Sequence, residues 1–477
     1  MPTLRKASPM PCSVRELYDW HARPGAIERL VPPWQSVRVA RRTPGRDSPF
    51  IGNGARVEFE TRVGPVALPW IAEHFGHEEG RRFCDRQLRG PFACWEHTHE
   101  FLPADDGGST LRDSVDYDLR GGPLGGLAAG RSIRAMLDRM FWFRHERTRM
   151  DLERHAAGPA PMTVAIAGSS GDIGVALAAF LSTGGHRVIR LVRRPPEREP
   201  IDGLEQRHWN PAAMTLAASA LDGVDAVVNL CGASIADGRW TLARKNELTE
   251  SRLKPTGLLA RTIAGLPVAS RPVLLNASGA HVYGEGGDEP FDEAAPPGDG
   301  FLAALVRDWE RAARPAELAG VRVVHLRFGA VLSARGGALR KLLLPTRLFA
   351  GGPLGGGRQW WPWIGLDDAL AAVLHCLADD SMHGPVNICA AHAATANDIA
   401  QAVGRALRRP AVLGVPPAAL RVAVGREFAD EALLASTRAE PGVLQRSGFR
   451  WSRPTVERAV GWELGVRRMV EDSAASS

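Results

Sequence analysis

The pattern of apolar and polar residues changes near residue 160. Beyond this point, short apolar segments alternate with stretches of helical periodicity. These segments lie at 164–167, 187–192, 225–233, 272–280 and 321–332. Short apolar strands that alternate with helices are typical of an open parallel sheet with helices on both faces. The pattern therefore predicts an α/β fold for the larger, second part of the chain.

The first part of the chain has a different pattern. Polar and apolar residues alternate, as in strands with one buried face, between turns rich in Gly, Pro and Asp. The predicted strands lie at 54–63, 68–77, 81–90, 94–103 and 109–119. Two short helices in 13–34 precede them, and one long amphipathic helix over 130–155 follows. This order predicts an α+β helix-grip, in which a curved sheet wraps around a helix.

Composition narrows the class of protein. The 477 residues are 44% hydrophobic and 23% charged, which is typical of a folded globular chain. The net charge of +6 is small, and only four of the basic residues are lysines, so we expect no nucleic-acid binding. No apolar run approaches the ~20 residues of a membrane span, and the first residues lack the apolar stretch of a signal peptide. Six cysteines without a CxxC pair indicate reduced thiols in a cytoplasmic protein. No feature sets an oligomeric state.

A glycine-rich loop follows the first apolar strand of the second part. The segment GSSGDIG, residues 168–174, lies between that strand and a helix, and a second strand ends at Val192. Glycines at such a turn allow the backbone to approach a pyrophosphate at the helix N-terminus. The loop therefore predicts a dinucleotide site in a Rossmann-type sheet.

The second strand indicates which dinucleotide. An NAD site is expected to place Asp or Glu near its end, on the ribose 2′-hydroxyl. Here Arg193 and Arg194 stand there, and no acidic residue lies between Asp172 and Glu197. A guanidinium suits a 2′-phosphate, so we expect NADP(H) rather than NAD(H). The alternative is that both arginines are solvated loop charges.

Several longer blocks carry a family resemblance. They include NLCGASIADGRWTLARKNELTESR, NASGAHVYG and RFGAVLSARGGALRKLLLPTRLFAGGPLGGGRQWWPWIGLDD. With the GxxGxxG spacing, they resemble an epimerase-like branch of the extended short-chain dehydrogenase/reductases that consists of uncharacterised NADP-binding proteins. The helix-grip part resembles the START-like polyketide cyclase/dehydrase superfamily. We accordingly expect a START-like domain at 1–157, the NADP-binding domain at 162–415 and a small C-terminal domain at 416–470.

The resemblance implies a set of cofactor-binding residues. The pyrophosphate would be held by Gly168, Ser169, Ser170, Gly171, Asp172, Ile173 and Gly174. Arg193 would hold the 2′-phosphate. The adenosine side would be bordered by Leu230, Cys231 and Gly232. Glu247 and Arg252 match positions that face the cofactor, although a surface ion pair is the alternative for these two.

The catalytic pair usual for such enzymes is missing. They use Tyr-x-x-x-Lys, in which the lysine lowers the pKa of a tyrosine that acts as acid and base. None of the three tyrosines here has a lysine four residues later. At the expected place, aligned on Glu310, the chain has Leu302 and Val306.

Ser278 and Tyr283 remain as catalytic candidates. Ser278 lies near the end of the strand predicted at 272–280, at about the usual Ser/Thr position, and Tyr283 follows it closely. A packing role is the alternative for Tyr283. We expect a small carbonyl or hydroxyl substrate between these residues, Arg327 and a tryptophan cluster, for which a core role is equally consistent. The cluster consists of Trp360, Trp361 and Trp363.

The helix-grip part offers two further hypotheses. The resemblance implies an apolar ligand between sheet and helix, and a filled core is the alternative. His97 and His99 point to the same strand face, near other histidines and cysteines, but the spacings match no zinc module. Hydrogen-bonded histidines are the commoner arrangement, so we expect no metal.

Two functions are consistent with these features. The first is an NADP(H)-dependent oxidoreductase or epimerase, because the dinucleotide loop and substrate side are both retained. The second is an NADP(H)-binding sensor without turnover, because the Tyr-Lys pair is absent.

Overall fold

The computed structural model describes residues 1–63, 66–105, 107–120 and 122–471. The chain divides into two compact units. The first consists of Met1–Pro161 together with Ala178–Arg187 and Glu197–Glu205. The second consists of Met162–Leu177, Val188–Pro196 and the chain from Gln206 onward.

The first unit contains the predicted α+β helix-grip. Its elements are β1 (Thr3–Met10), α1 (Val14–Ala22), α2 (Ala26–Leu30), β2 (Val37–Thr43), β3 (Arg56–Val63), β4 (Val66–Glu78), β5 (Arg82–Arg89), β6 (Cys94–Pro103), β7 (Ser109–Asp118) and α3 (Gly122–Ala156). The strands form one antiparallel sheet in the order β1-β7-β6-β5-β4-β3-β2. The five predicted strands, both short helices and the long helix are confirmed, whereas β1 and β2 were not predicted.

Alternation along the central strands builds the core of this unit. On β7, every second residue from Ser109 to Tyr117 is buried, and the residues between them are more exposed. Leu111 and Val115 on this face are at most 1% exposed, and Leu137 and Phe141 of α3 are equally buried. The side chains of β6 alternate in the same way. Two adjacent strands thus present a single buried face.

The second unit contains the parallel sheet, except that residues 178–187 and 205, at the ends of three of its elements, fall in the first unit. Its elements around the sheet are β8 (Thr163–Ala167), α4 (Asp172–Thr183), β9 (Arg187–Val192), β10 (Glu205–His208), β11 (Ala226–Asn229), α5 (Leu242–Ala264), β12 (Val273–Gly279), β13 (Pro290–Phe291), α6 (Phe301–Arg311), α7 (Arg314–Leu318), β14 (Val323–Phe328), β15 (Ala330–Leu332), α8 (Gly337–Arg347), β16 (Trp360–Trp361), β17 (Trp363–Gly365), α9 (Leu366–Ala378) and β18 (Gly384–Ile388). Smaller elements follow: β19 (Ala394–Thr395), α10 (Ala396–Leu407), α11 (Pro417–Val424), α12 (Arg426–Phe428), β20 (Arg438–Ala439), α13 (Gly442–Arg446), α14 (Val456–Glu463) and α15 (Arg467–Glu471).

The strand order of the parallel sheet marks the crevice in which ligands of such folds bind. The seven strands run β10-β9-β8-β11-β12-β14-β18, and the pairs from β8 to β18 are parallel. The order reverses between β8 and β11, and ligands of such sheets bind in the crevice at the carboxyl ends of the strands beside this reversal. The predicted Rossmann-type fold is confirmed.

Two further expectations can be compared with the structure. All six cysteines lie in described residues and are free thiols. Among the helices of the described ranges, none combines the length and apolar composition needed to cross a bilayer.

We expect Arg29→Ala to destabilise the first unit. Arg29 of α2 donates two hydrogen bonds, of 2.8 and 2.5 Å, to Asp151 of α3, and both side chains are at least 96% buried. Removing one partner of a buried ion pair leaves an uncompensated charge, which costs about 3–5 kcal/mol. Hydrogen exchange should report faster opening of α3 peptides. The control Arg38→Ala removes an exposed pair with Glu60 and should leave exchange unchanged; equal exchange in both variants would contradict the prediction.

Candidate functional site

The turn after β8, residues 168–174, depends on its glycines, and we call it the glycine cradle. Gly168 has φ +79°, a conformation that other residues rarely adopt, and a Cβ there would lie 2.7 Å from the carbonyl carbon of Leu230. A Cβ on Gly174 would collide with the Gly168 carbonyl oxygen. The first glycine thus allows the turn to pass the end of β11, and the last allows α4 to pack against the loop.

The middle of the loop is open. A Cβ on Gly171 would meet only the Gly168 oxygen, at 3.5 Å, and Ser170, Gly171 and Asp172 are exposed. Helix α4 begins at Asp172, so its unsatisfied N–H groups and the positive end of its dipole lie at this open side. An exposed glycine backbone at a helix N-terminus fits a pyrophosphate.

The end of β9 supplies a positive charge to the same edge. Arg193 and Arg194 are exposed. Burial raises the pKa of Cys231 to about 12, and the positive charge of Arg193 acts in the opposite direction. Arg190 of the same strand donates a 3.2 Å hydrogen bond to Ser169 of the loop. This edge of the loop is therefore basic.

A buried polar network holds the segment after β11 in place. Asn229 donates to Asn276 (2.7 Å) and to Thr256 (2.9 Å), and its own side-chain oxygen accepts from the backbone N–H of Cys231. Trp309 donates to Thr256 as well. Because these partners are buried, the path of Leu230–Gly232 is fixed by internal hydrogen bonds.

Arg252 and Glu247 lie in different environments in the structure. Arg252 is buried and donates to the carbonyl oxygens of Leu248 and Ala233, and its guanidinium carbon would lie 3.2 Å from a Cβ on Gly232. Burial lowers the pKa of Arg252 to about 10. Glu247 is exposed and pairs with Arg244 at 2.6 Å. Arg252 thus supports the predicted cofactor edge, whereas Glu247 forms a surface ion pair, the alternative left open by the sequence.

Ser278, one of the two catalytic candidates, belongs to a charged network. Its hydroxyl donates a 2.6 Å hydrogen bond to Glu310 of α6. Arg327 of β14 donates to both oxygens of the same carboxylate, at 2.8 and 2.9 Å. Burial opposes ionisation of Glu310, but these bonds hold its pKa below the usual value. The network carries a fixed ion pair at the carboxyl end of the sheet.

Tyr283 extends this network beyond Arg327. It accepts a 3.1 Å hydrogen bond from Arg327 and donates a 2.7 Å bond to Asn387 of β18. Its ring stacks on Phe291, and the side chain is 2% exposed. Burial raises the pKa of Tyr283 to about 12. The residue is thus a neutral hydrogen-bond donor, unlike the tyrosine of a Tyr-Lys pair.

The two positions at which the family's Tyr-Lys pair would be expected are apolar and buried. Leu302 and Val306 on α6 are 4% and 5% exposed and pack in the core. Leu302 clusters with Leu248 and Leu305, and Val306 packs with Tyr283. Proton transfer at these two positions is therefore excluded.

The tryptophan cluster divides between cleft and core. Trp363 is buried, whereas Trp360 lines a cleft of about 250 Å³ beyond the carboxyl end of β18. Arg438 lies over the Trp360 ring, and Glu440 is on the same cleft wall. Neither Ser278 nor Tyr283 lines this cleft.

Two participants were missed as site residues by sequence reasoning. Glu310 was used only to locate the expected Tyr-Lys positions, and no role was predicted for it. An acidic residue on an otherwise apolar helix face nevertheless indicates a buried partner. Asn387 is a polar residue in the apolar strand VNI, directly before the strand ends. Such an interruption was the available signal.

Comparisons with known families match both units. Residues 164–389 match the NAD dependent epimerase/dehydratase family, and residues 415–463 match a domain of unknown function (DUF1731). Residues 10–143 match the family described as polyketide cyclase / dehydrase and lipid transport.

Individual relatives agree with the family matches. The epimerase family protein Mb2239 of Mycobacterium bovis is 44% identical over 303 residues, which cover 64% of this chain and 98% of that protein. The crystal structure of a nucleoside-diphosphate sugar epimerase from Corynebacterium glutamicum, 31% identical, covers 99% of this chain and 92% of its own with a TM-score of 0.77. The structure of human epimerase family protein SDR39U1 with NADPH, 33% identical, covers 64% and 99% with a TM-score of 0.57. With its glycine cradle and parallel sheet, the chain belongs to the NAD dependent epimerase/dehydratase family, and its second unit follows a polyketide cyclase-like domain.

Proposed function

We propose that the protein is an NADP(H)-binding oxidoreductase of the epimerase-like type that acts on a small carbonyl or hydroxyl compound. The observation that carries this proposal is the basic edge of the cradle. Arg193 is exposed, its charge acts on Cys231 after β11, and no acidic residue stands at the end of β9 to receive a ribose 2′-hydroxyl. The human relative whose structure contains NADPH is consistent with this choice.

The roles of the cradle residues follow from their positions. Backbone N–H groups of 169–174 bind the pyrophosphate, and Arg193 binds the 2′-phosphate. The residues 230–232, which Asn229 and Arg252 hold in place, border the adenosine. When bound, the nicotinamide ring supplies or accepts a hydride.

We propose that hydrogen-bond donors on the substrate side polarise the carbonyl oxygen of the substrate. Tyr283 keeps its proton at neutral pH because its pKa is about 12, so it acts as a donor to a substrate carbonyl in place of Asn387. Ser278 is the second donor, once its hydroxyl proton turns from Glu310 to the substrate oxygen. A chain without the Tyr-Lys pair then stabilises developing negative charge by hydrogen bonds.

One observation favours the alternative, a cytoplasmic NADP(H)-binding sensor whose helix-grip domain holds an apolar ligand. Both donors are already satisfied by protein partners, Ser278 by Glu310 and Tyr283 by Asn387. A sensor would bind NADPH with the same preference but consume none in a screen of carbonyl compounds. That screen should include a nucleoside-diphosphate sugar, the substrate class named for the Corynebacterium neighbour.

We expect Arg193→Ala to weaken NADPH binding at least tenfold and to change NADH binding little. The reason is that a charge-assisted pair with the 2′-phosphate is lost, while the pyrophosphate contacts remain. Fluorescence titration with both cofactors measures the effect. The control is Arg187→Ala, which removes an exposed arginine at the opposite end of β9 that pairs with Glu205. Equal losses for NADPH and NADH in Arg193→Ala would refute the 2′-phosphate assignment.

Tyr283→Phe tests the substrate side. We expect turnover to fall by about 10²–10³, the effect of removing one oxyanion donor, while NADPH affinity is retained. Because the phenol stays protonated far above neutrality, the wild-type reduction rate should not decline through tyrosine ionisation between about pH 6 and 9. Tyr117→Phe, a buried tyrosine of the first unit, is the matched control. Undiminished turnover in Tyr283→Phe would show that the residue only packs.

A further inference from the structure

The interior of the helix-grip domain contains a cluster of histidines and aspartates. His97 and His99 share one face of β6, and each stands directly opposite an aspartate of a neighbouring strand. Asp85 of β5 pairs in register with His97, and Asp113 of β7 pairs with His99. His145 reaches the same place from α3. Cross-strand pairing therefore brings five ligand-type side chains together.

These side chains are removed from water. His97, Asp113 and His145 are 1–2% exposed, and His99 is 6% exposed. The ring centroids of His97 and His99 are 3.9 Å apart. Ligand atoms of Asp85, His97 and His99 all lie within 4.8 Å of one another. Buried charges at such density require either full pairing or a coordinated ion.

Part of the cluster is paired. Asp85 Oδ2 lies 3.0 Å from His97 Nδ1, and His145 Nε2 lies 2.9 Å from Asp113 Oδ2. These two contacts use His97 Nδ1 and Asp113 Oδ2. They leave His97 Nε2 and Asp113 Oδ1 for other partners.

The remaining atoms lie close together, but their contacts lack the direction of a hydrogen bond. Asp113 Oδ1 lies 2.7 Å from His99 Nδ1 and 3.4 Å from His97 Nε2. Among the described residues, none of these three buried atoms has a hydrogen-bond partner of acceptable direction. Two imidazole nitrogens thus lie within 3.4 Å of one carboxylate oxygen, and imidazole and carboxylate are both ligands of Zn²⁺.

We propose that the helix-grip domain binds one divalent transition-metal ion through His97 Nε2, His99 Nδ1 and Asp113 Oδ1. Two imidazoles and a carboxylate are the donor set of Zn²⁺ and Fe²⁺ sites that keep free coordination positions. Asp85 and His145 are positioning residues. Asp85 accepts from His97 Nδ1 and so directs Nε2 to the metal, and His145 fixes the carboxylate of Asp113.

A proton is the competing occupant. Burial lowers the pKa of His97, but the charges of Asp85 and Asp113 raise it to about 9, so a metal-free protein holds a proton there. Arg144, which is half-buried, contributes a further positive charge towards both carboxylates. Each neutral imidazole already carries one proton, so a metal-free cluster would set the N–H groups of His97 and His99 against Asp113 Oδ1, but neither contact has the direction of a hydrogen bond. A cation would instead take one lone pair from each of the three atoms.

The sequence did not indicate this site because its spacing matches no zinc module. The third ligand lies on another strand, and only the sheet register brings Asp113 opposite His99. The site lies wholly within the first unit and shares no residue with the dinucleotide cradle of the second. Its test is therefore independent of NADPH binding.

The test uses the full-length protein, stripped with a chelator and titrated with Zn²⁺ by calorimetry, with bound metal measured by mass spectrometry. We expect one Zn²⁺ per chain in the wild type and at least tenfold weaker binding in His99→Ala and Asp113→Asn. His145→Gln should retain one equivalent with affinity reduced about 10–100-fold. The matched control is His383→Gln, an exposed histidine of the second unit, which should bind as wild type does.

Co²⁺ substitution of the wild type gives a second readout that needs no variant to fold. Coordination by two imidazoles and a carboxylate should produce intense visible d–d absorption, which Zn²⁺ abolishes by displacement. Absence of this band together with no stoichiometric Zn²⁺ would overturn the proposal and assign the cluster to a buried proton. Unchanged Zn²⁺ binding in folded His99→Ala and Asp113→Asn would overturn it as well.

Discussion

The close approach of the Gly168 turn to the end of β11 is the constraint on which the candidate cofactor site depends. A Cβ at Gly168 would lie 2.7 Å from the backbone of Leu230. The turn after β8 can therefore pass the end of β11 only if residue 168 has no side chain. The strand order reverses at this place, which opens the crevice at the sheet edge. The positive charge of Arg193, after the end of β9, acts on Cys231 in the segment after β11.

The region beyond the cradle departs from the usual chemistry of such folds in a consistent way. Leu302 and Val306 close the face of α6 that would carry a tyrosine and a lysine, and the polar groups lie at Glu310 further along α6 and on neighbouring elements. Glu310, Arg327 and Tyr283 form one continuous chain of hydrogen bonds across α6, β14 and the turn after β12. Their charges are paired, so the arrangement favours neutral donors over a tyrosine that ionises.

The sequence predicted those features that depend on local pattern. Alternation gave five strands of the helix-grip, and the glycine spacing gave the strand, turn and helix around Gly168. It did not predict β1 and β2, whose residues lack clean alternation, because pairing at a sheet edge is decided by the neighbouring strand. The partners of Ser278 and His99 were also missed. Glu310 and Asp113 lie on other elements, and only tertiary register brings them into contact.

We propose that the cradle distinguishes a ribose 2′-phosphate by the charge at the end of β9. The most direct measurement is calorimetric binding of two cofactor fragments, adenosine 2′,5′-bisphosphate and adenosine 5′-monophosphate, to the wild-type protein. Both fragments lack nicotinamide, so the comparison isolates the adenosine side. The account predicts that the 2′,5′-bisphosphate binds at least tenfold more tightly and that added salt reduces the difference. Equal affinity of the two fragments would contradict it.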